Sequence, residues 1–243
     1  MDTITFLGTG GSVVSKKRMC AGVLFRDKLI DVGFGVLSNL IRTGTKLDSI
    51  NDIYVSHTHS DHIGDFTALV WAMAMQNRTK RVRIVSSAGT ANSLEKILEL
   101  QSTPRSWVKF EIDFVRPEDL GVKHFTTLHE PQNLAYRFET ERGGFVYAGD
   151  TSRYEKLAEF AKDCDLMIHD ATFLDGQESI AAVTKHSTAR DAGSIAKLAD
   201  ARRLVLTHIS PANEGSGQKY IAQASSDFKG QVVTVRDRQK IQV

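Results

Sequence analysis

Short runs of β-branched and aromatic residues alternate with longer stretches of helical periodicity along the 243-residue chain. The runs predict strands over Thr3–Leu7, Val23–Leu29, Asp52–Val55, Val82–Val85, Val108–Val115, Phe125–Leu128, Ala135–Glu139, Phe145–Tyr147, Leu166–Ile168, Leu204–Leu206 and Gln231–Val235. The periodic stretches predict helices over Asp65–Met75, Thr90–Leu100, Tyr154–Ala161, Ala189–Ala199 and Lys219–Ser225. Thr188 and Asp191 form an approximate capping box before the fourth helix. There are too many strands for one simple parallel sheet, so the pattern predicts a mixed α/β scaffold.

Several predicted strands are followed by a residue that can bind metal or move protons. His57, His129, Asp150 and His208 each stand just after a predicted strand. If these strand ends share one edge of the core, the four side chains can converge on one site. Such convergence is a usual way to build a site on a rigid scaffold.

The segment from His57 to His62 places three imidazoles and a carboxylate within six residues, directly after a strand. In an extended backbone His57 and His59 point the same way and can bind one ion. Asp61 and His62, beyond the bend, can face a second ion. Imidazole and carboxylate together suit zinc, and also iron or manganese. A polar surface turn is the alternative, but four ligand-type residues among six disfavour it.

Length, composition and charge restrict the domain number, the location and the possible partners of the protein. The length and the lack of a linker or repeat favour one domain over residues 1–243. The amino terminus has no secretory leader and no apolar run approaches the length of a membrane span, so we expect a cytoplasmic protein with no membrane partner. Cys20 and Cys164 are too few for a disulfide framework. A net charge of +2 gives no general electrostatic case for binding nucleic acid.

The motif His57-x-His59-x-Asp61-His62 resembles the signature of the metallo-β-lactamase superfamily. The further residues of that pattern follow in order, namely His129, Gly149-Asp150-Thr151 and His208. The resemblance covers nearly the full length and implies an αββα sandwich, in which two packed β-sheets are flanked by helices. It also implies two divalent metal ions. His57, His59 and His129 would bind the first ion, Asp61, His62 and His208 the second, and Asp150 would bridge them.

Within the superfamily, Phe6–Ser12, Leu29–Gly33 and Lys185–Ala189 are similar to the ribonuclease Z branch and its phosphodiesterase relatives. The resemblance implies that His186 is not a ligand but aids departure of the leaving oxygen. A helix-entry histidine is the alternative. The branch usually places a glutamate as partner of this histidine, where this chain has the shorter Asp170, so direct contact between the two is an open question. His124 and His169 lack such support and are interpreted as structural histidines or as neighbours of the ligands.

Members that process tRNA generally carry a long protruding arm, often between the segments that correspond to His129 and Asp150. Only Glu130 to Gly149 lies there, and two predicted strands fill most of it. We therefore expect a phosphodiesterase that acts on a small phosphodiester or similar ester through a hydroxide activated by two metal ions, with Zn²⁺ preferred over Mn²⁺ or iron. Asp61 would orient or deprotonate the water. RNA is a less favoured substrate, and a homodimer is an alternative because relatives often dimerise.

The same residues are compatible with several other functions. A tRNA 3′-end endonuclease that works without the arm is the nearest alternative, and hydrolysis of lactones, thioesters, sulfate esters or β-lactams would use the same ligands. From a different class, the chain could hold redox-active iron or be a non-catalytic nucleic-acid-binding relative. The glycines from Gly8 to Gly11 and the carboxylate of Asp31 are expected to maintain the architecture of the site.

Overall fold

Two β-sheets packed face to face carry the fold, in a computed structural model that describes residues 2–103 and 106–243. The first sheet has the spatial order β13-β1-β2-β3-β4-β5-β6. Its strands are β1 (Thr3–Gly8), β2 (Gly22–Phe25), β3 (Lys28–Ile30), β4 (Asp52–Tyr54), β5 (Val82–Val85), β6 (Ile112–Val115) and β13 (Lys240–Gln242). Strands β3 to β6 are mutually parallel, whereas β13, β1, β2 and β3 pair antiparallel.

The second sheet has the spatial order β12-β11-β10-β9-β8-β7. Its strands are β7 (Lys123–Thr126), β8 (Leu134–Phe138), β9 (Phe145–Tyr147), β10 (Leu166–Asp170), β11 (Arg203–Thr207) and β12 (Gln231–Thr234). Strands β9 to β12 are mutually parallel, and β7, β8 and β9 form an antiparallel meander. Because the carboxyl ends of parallel strands lie at one edge, residues that follow β9, β10 and β11 emerge side by side.

Helices connect the parallel strands of both sheets. They are α1 (Val36–Arg42), α2 (Ser60–Ile63), α3 (Phe66–Met75), α4 (Ala88–Leu100), α5 (Glu155–Phe160), α6 (Glu178–Thr184), α7 (Ala189–Leu198) and α8 (Gly217–Asp227), with short 3₁₀ turns at Leu47–Ser49, Pro117–Leu120 and Pro211–Asn213. One apolar cluster joins α1, α3 and α4 to the first sheet, and another joins α5, α7 and α8 to the second. The four layers confirm the predicted αββα sandwich.

The core between the sheets is rich in aromatic side chains. Phe25 of β2 meets Phe145 of β9 edge to face, with ring centroids 4.9 Å apart. Tyr136 of β8 is fully buried, and its hydroxyl donates to the carbonyl oxygens of Val55 and Val85 at 2.9 and 3.2 Å. These bonds tie the second sheet to the carboxyl ends of β4 and β5 in the first. They thereby fix the distance across which the two sheets can share a site.

The structure differs from the pattern-based prediction at several boundaries. The run Val23–Leu29 is not one strand, because the chain turns at Arg26, whose φ of +55° places it in the left-handed region, and β2 pairs with β3 as a hairpin. The run predicted over Val108–Val115 is a strand only from Ile112. Strand β13 and the short helices α1, α2 and α6 were not predicted. Elements of three to seven residues depend on tertiary packing more than on their own pattern.

Helix α7 follows the prediction closely. The Thr188 hydroxyl accepts from the backbone N–H of Asp191, and the Asp191 carboxylate accepts from the backbone N–H of Thr188, so the capping box is complete.

No helix within residues 2–103 and 106–243 is both long enough and apolar enough to cross a membrane.

Candidate metal centre

The segment from His57 to His62 changes from extended to helical backbone in its middle. His57 and Thr58 continue beyond β4, His59 is the N-cap of α2 with ψ of 145°, and Asp61 and His62 lie within that single helical turn. The backbone N–H of His62 donates to the carbonyl oxygen of His59 at 2.9 Å, which closes the turn. The bend therefore divides the four ligand-type side chains into the two pairs that the sequence predicts.

The first pair meets His129, which lies three residues beyond the end of β7. The His57 ring centroid is 4.8 Å from that of His59 and 4.9 Å from that of His129. His129 Nε2 and His59 Nδ1 are 3.2 Å apart. His57 is fully buried, whereas His59 is exposed, so the group opens to solvent at His59.

The second pair meets His208, which directly follows β11. His62 Nε2 and His208 Nε2 are 3.3 Å apart, and His208 Nε2 lies 3.1 Å from Asp61 Oδ2. Helix α2 thus carries two side chains of this group, and the second sheet supplies the third.

Asp150, three residues beyond the end of β9, lies between the two groups. Its Oδ2 is 3.2 Å from His62 Nε2 and 3.4 Å from His208 Nε2. The same oxygen is 3.7 Å from His57 Nε2 and 3.9 Å from His129 Nε2. One carboxylate oxygen therefore lies within 4 Å of both groups, somewhat closer to the second, and all seven predicted side chains gather at one edge of the sandwich.

The spacing of these atoms suits divalent cations. Ligands about 2.0–2.2 Å from a tetrahedral zinc ion are about 3.3–3.6 Å from one another. The contacts of 3.1 to 3.9 Å around Asp150 and His208 bracket that range. His57 Nε2 and Asp150 Oδ1 are buried and have no hydrogen-bond partner among the described residues. Buried polar atoms are rarely left unpaired, and a cation bound here would satisfy both.

The electrostatics of the first group favour neutral imidazoles, which is the form that binds metal. Burial holds the pKa of His57 well below its ordinary value and also lowers the pKa values of His59 and His129. The carboxylate of Asp150 stays ionised, because His208 and His62 lower its pKa well below the usual range despite its burial.

His186 and Asp170 are in direct contact, so the aspartate reaches this histidine although its side chain is shorter than that of the usual glutamate. His186 Nδ1 is 2.8 Å from Asp170 Oδ2. Burial alone would lower the pKa of His186, but the Asp170 carboxylate outweighs burial and raises that pKa to about 9. The His186 ring stacks on that of His208, with centroids 5.0 Å apart. Asp170 is fully buried, so the pair is held rigidly beside the second group.

His124 and His169 belong neither to the seven side chains of the cluster nor to the pair of Asp170 and His186. His124 is half-buried and contacts the carbonyl oxygen of Val122 and the carboxylate of Glu118. His169 is buried, with Nδ1 at 2.7 Å from the carbonyl oxygen of Asp170. Both placements agree with a structural interpretation.

Comparison with known proteins identifies the family to which this chain belongs. A family model for the β-lactamase superfamily domain matches residues 26–209, which include all seven side chains of the cluster. The chain belongs to the metallo-β-lactamase superfamily. Within this superfamily it lies in the ribonuclease Z-like branch and is a hydrolytic enzyme that depends on divalent metal.

One sequence relative and two solved structures of the same fold are similar to this chain. Ribonuclease Z of Haloarcula marismortui is 28% identical over 294 aligned positions, which cover 96% of this chain and 94% of the relative. The metallo-β-lactamase fold protein YhfI from Bacillus subtilis has a TM-score of 0.84 at 23% identity, with 99% and 98% of the two chains covered. The short form of human tRNase Z has a TM-score of 0.81 at 23% identity, with 99% of each chain covered.

This chain is shorter than ribonuclease Z of Haloarcula marismortui inside the region that the two proteins share. The alignment has 294 positions but uses 96% of a 243-residue chain, so the relative has roughly 60 residues with no counterpart here. Between His129 and Asp150 the chain forms only the hairpin of β8 and β9, as the sequence predicts. No long arm leaves the described chain at that point.

A set of supporting contacts orients the candidate ligands, and the sequence reveals only part of it. The Asp31 carboxylate accepts from the backbone N–H and the hydroxyl of Ser56, from the Tyr147 hydroxyl, and is 2.8 Å from His62 Nδ1. The Thr172 hydroxyl is 2.8 Å from His208 Nδ1. Such partners fix the orientation and tautomer of a metal-binding imidazole.

Two further supports come from the backbone. The carbonyl oxygen of Lys185 is 2.9 Å from His129 Nδ1, at a residue whose φ is +55°. A Cβ on Gly11 would lie 2.3 Å from the His208 ring, so only glycine allows this close approach. The sequence points to Asp31 and Gly11 through their motifs. It gives no signal for the Lys185 carbonyl, since any residue provides one.

Replacing Asp31 by asparagine should destabilise the protein by about 3–5 kcal/mol, because it removes the charge of a buried carboxylate that is hydrogen-bonded on several sides. It should also lower metal affinity by about 10–100-fold through the loss of support for His62. Urea unfolding and metal titration measure the two effects. The matched substitution Asp200→Asn, in an exposed ion pair with Lys162, should change little. Equal unfolding free energies for the two variants would contradict this role of Asp31.

Proposed function

We propose that this hydrolase cleaves phosphodiester bonds with two divalent cations, zinc in the first place, bound by the seven side chains of the cluster. His57, His59 and His129 would hold one cation, and Asp61, His62 and His208 the other, with Asp150 shared. The position of Asp150 Oδ2 within 4 Å of four imidazole nitrogens, two from each group, carries the proposal. Imidazole with carboxylate suits zinc, and also manganese or iron.

The chemistry of the bound cations would be to lower the pKa of water and to neutralise charge on a phosphoryl group. Asp61 would orient the attacking water molecule. Its Oδ2 accepts from the backbone N–H of Ser12 at 2.6 Å, which fixes the direction of the carboxylate. The exposed side of the cluster at His59 gives the substrate access.

His186 would supply the proton to the leaving oxygen. Its Nδ1 is occupied by Asp170, so Nε2 is the nitrogen available for the substrate. Asp170 acts as a positioning residue, because it holds the imidazole in one orientation and favours its protonated form. A positioned acid contributes about 10²–10⁴-fold to such reactions.

Two features favour a small phosphodiester as the substrate. The net charge of +2 provides few contacts for a polyanion, and the hairpin of β8 and β9 stands where a long arm would be inserted. A tRNA 3′-end endonuclease is the second candidate, and the similarity to proteins named ribonuclease Z favours it. Hydrolysis of precursor tRNA, cyclic nucleotides, bis(p-nitrophenyl) phosphate, and lactone, thioester and sulfate esters by the metal-loaded enzyme would rank these substrates.

Replacing His59 by alanine should lower both metal content and phosphodiesterase activity, because one imidazole of the first group is lost. We expect a decrease in activity of at least about a hundredfold. Metal stoichiometry by mass spectrometry, beside hydrolysis of bis(p-nitrophenyl) phosphate, checks the prediction and also identifies the native metal. The control is His124→Ala, which removes a histidine outside the cluster and should leave both values unchanged. Full activity in metal-free protein would refute the proposed function.

A further inference from the structure

A polar cavity of about 670 Å³ lies beside the metal centre and is not used by the proposed reaction. It is lined by Lys17, Arg18, Glu214, Gly215, Gly217, Gln218, Thr234, Arg236, Asp237 and Arg238. Thr234 ends β12, which is parallel to β11 and pairs Thr234 with Leu206, two residues before His208. The cavity therefore opens at the same edge of the second sheet as the candidate ligands.

One loop connects the cavity with the metal centre. The backbone N–H of Ser12 donates to Asp61 in the metal centre, and six residues later Arg18 lines the cavity. The Ser15 hydroxyl donates to the carboxylate of Glu214 on the opposite wall. The loop from Ser12 to Arg18 thus contacts the metal centre at its first residue and lines the cavity at its last two.

The cavity has an excess of cationic side chains. Four basic residues line it against two acidic ones, and Lys17, Arg236 and Arg238 have no carboxylate within 4.0 Å in the parts of the chain that the structure describes. Lys17, Arg236 and Arg238 are exposed. Arg238 Nη1 donates to the side-chain oxygen of Asn39 at 3.2 Å, which leaves the other guanidinium N–H groups for a ligand.

Arg18 is the buried cation of this cavity. Only 7% of its surface is exposed, and its Nη1 donates to the Thr9 hydroxyl and to the carbonyl oxygen of Val235, both at 2.6 Å. Its Nε is buried and has no partner among the residues described. A buried guanidinium that keeps an unused N–H donor is costly unless an anion completes its hydrogen bonds.

The amino terminus of α8 faces the same space. Ser216 is the N-cap and makes no side-chain capping bond, and Gly217 and Gln218, which begin the helix, both line the cavity. The first backbone N–H groups of a helix have no partner within it, and they carry a partial positive charge. A phosphate group is a common ligand of such a terminus.

The two carboxylates of the cavity are already engaged. Asp237 accepts from the Thr9 hydroxyl at 2.7 Å, from the backbone N–H of Met19 at 2.7 Å and from the Asn39 amide at 3.3 Å. Glu214 accepts from Ser15. Both carboxylates are therefore hydrogen-bonded by neutral groups, and the lining keeps an excess of two positive charges.

We propose that this cavity is a second binding site, for the phosphate group of a phosphate-bearing ligand. Arg236, Arg238 and Lys17 supply the charge, the N–H groups of Gly217 and Gln218 bind the oxygens, and Arg18 completes the floor. The volume accommodates a nucleotide as well as a free phosphate. The site shares an edge with the metal centre but none of its side chains, so it stands independently of the proposed reaction.

Backbone amide NMR of the metal-loaded enzyme, titrated with inorganic phosphate, tests this site directly. We expect saturable shifts of the Gly215, Gly217 and Gln218 resonances. The double variant Arg236→Gln with Arg238→Gln should weaken binding at these amides by about tenfold or more, since a charged hydrogen bond contributes roughly 1.5–3 kcal/mol. The matched control is Lys96→Gln with Arg202→Gln, which removes two exposed charges elsewhere and should retain the wild-type affinity.

Kinetics then distinguish the source of the phosphate. If it belongs to the substrate chain, the Arg236 and Arg238 variant raises KM for a short oligoribonucleotide but not for bis(p-nitrophenyl) phosphate. If it belongs to a separate ligand, both KM values stay unchanged while the phosphate-induced shifts are lost. Three results would overturn the site. Phosphate would cause no shifts at these amides, sodium chloride at equal ionic strength would cause the same shifts, or the two double variants would show equal phosphate-induced shifts. The NMR result does not depend on whether the enzyme hydrolyses phosphodiesters.

Discussion

Replacing Asp150 by asparagine should lower phosphodiesterase activity by about a thousandfold or more and should reduce metal content at both positions. The substitution keeps the shape of the side chain but removes the charge of the one oxygen that approaches both groups of imidazoles. A loss of about 4 kcal/mol in transition-state stabilisation corresponds to this decrease. Metal stoichiometry after dialysis and the steady-state rate with bis(p-nitrophenyl) phosphate measure the two effects.

The control for Asp150 is a buried carboxylate outside the cluster. Asp165 lies just before β10 and is ion-paired with Arg203, far along the strand from the metal edge. We expect Asp165→Asn to lower thermal stability while two metal ions stay bound. An Asp150→Asn enzyme that retained both metals and its activity would show that this carboxylate does not join the two groups.

Replacing His186 by alanine should slow turnover by about 10²–10⁴-fold on a dinucleotide, whose leaving ribose oxygen needs a proton. The loss should be much smaller with bis(p-nitrophenyl) phosphate, because nitrophenolate leaves without one. Metal content should stay at the wild-type level, since His186 is held by Asp170 and is not one of the seven proposed ligands. Measuring kcat and KM for both substrates beside metal stoichiometry checks the prediction, and the decrease should lie in kcat.

Asp170→Asn is the companion variant. It removes the charge that stabilises the protonated imidazole but leaves His186 in place, so turnover of the dinucleotide should decrease less than in His186→Ala. Thr172 also donates its hydroxyl to Asp170 and contacts His208, so a metal assay of this variant is needed. Equal losses on both substrates in His186→Ala would argue for a positioning role of His186 and against proton donation.

The hydrolase class rests on several independent observations. The match of residues 26–209 to the superfamily places the chain in the family, and the ribonuclease Z relatives place it in the branch. The direct contact of His186 with Asp170 shows that the shorter acid still reaches its partner. The short β8–β9 hairpin between His129 and Asp150 and the net charge of +2 are the basis for proposing a small substrate.

The sequence by itself determined the class of fold and the cluster of candidate ligands. The spacing of His57, His59, Asp61 and His62 indicates two pairs because the residues are close along the chain, where local backbone geometry decides which way they point. Long strands and amphipathic helices were predicted for the same reason, since their periodicity is local. The capping box at Thr188 is a further example.

Only the tertiary structure decided how the distant parts meet. The 2.8 Å contact between His186 and Asp170, the carbonyl of Lys185 at His129 and the fit of Gly11 against His208 join residues far apart in the chain. Strand β13 likewise forms by antiparallel pairing with β1, at the opposite end of the chain. No single stretch of the sequence contains the cavity beside α8. Its cations come from both ends of the chain, and the packing of β12 beside β11 brings them to the edge where His208 lies.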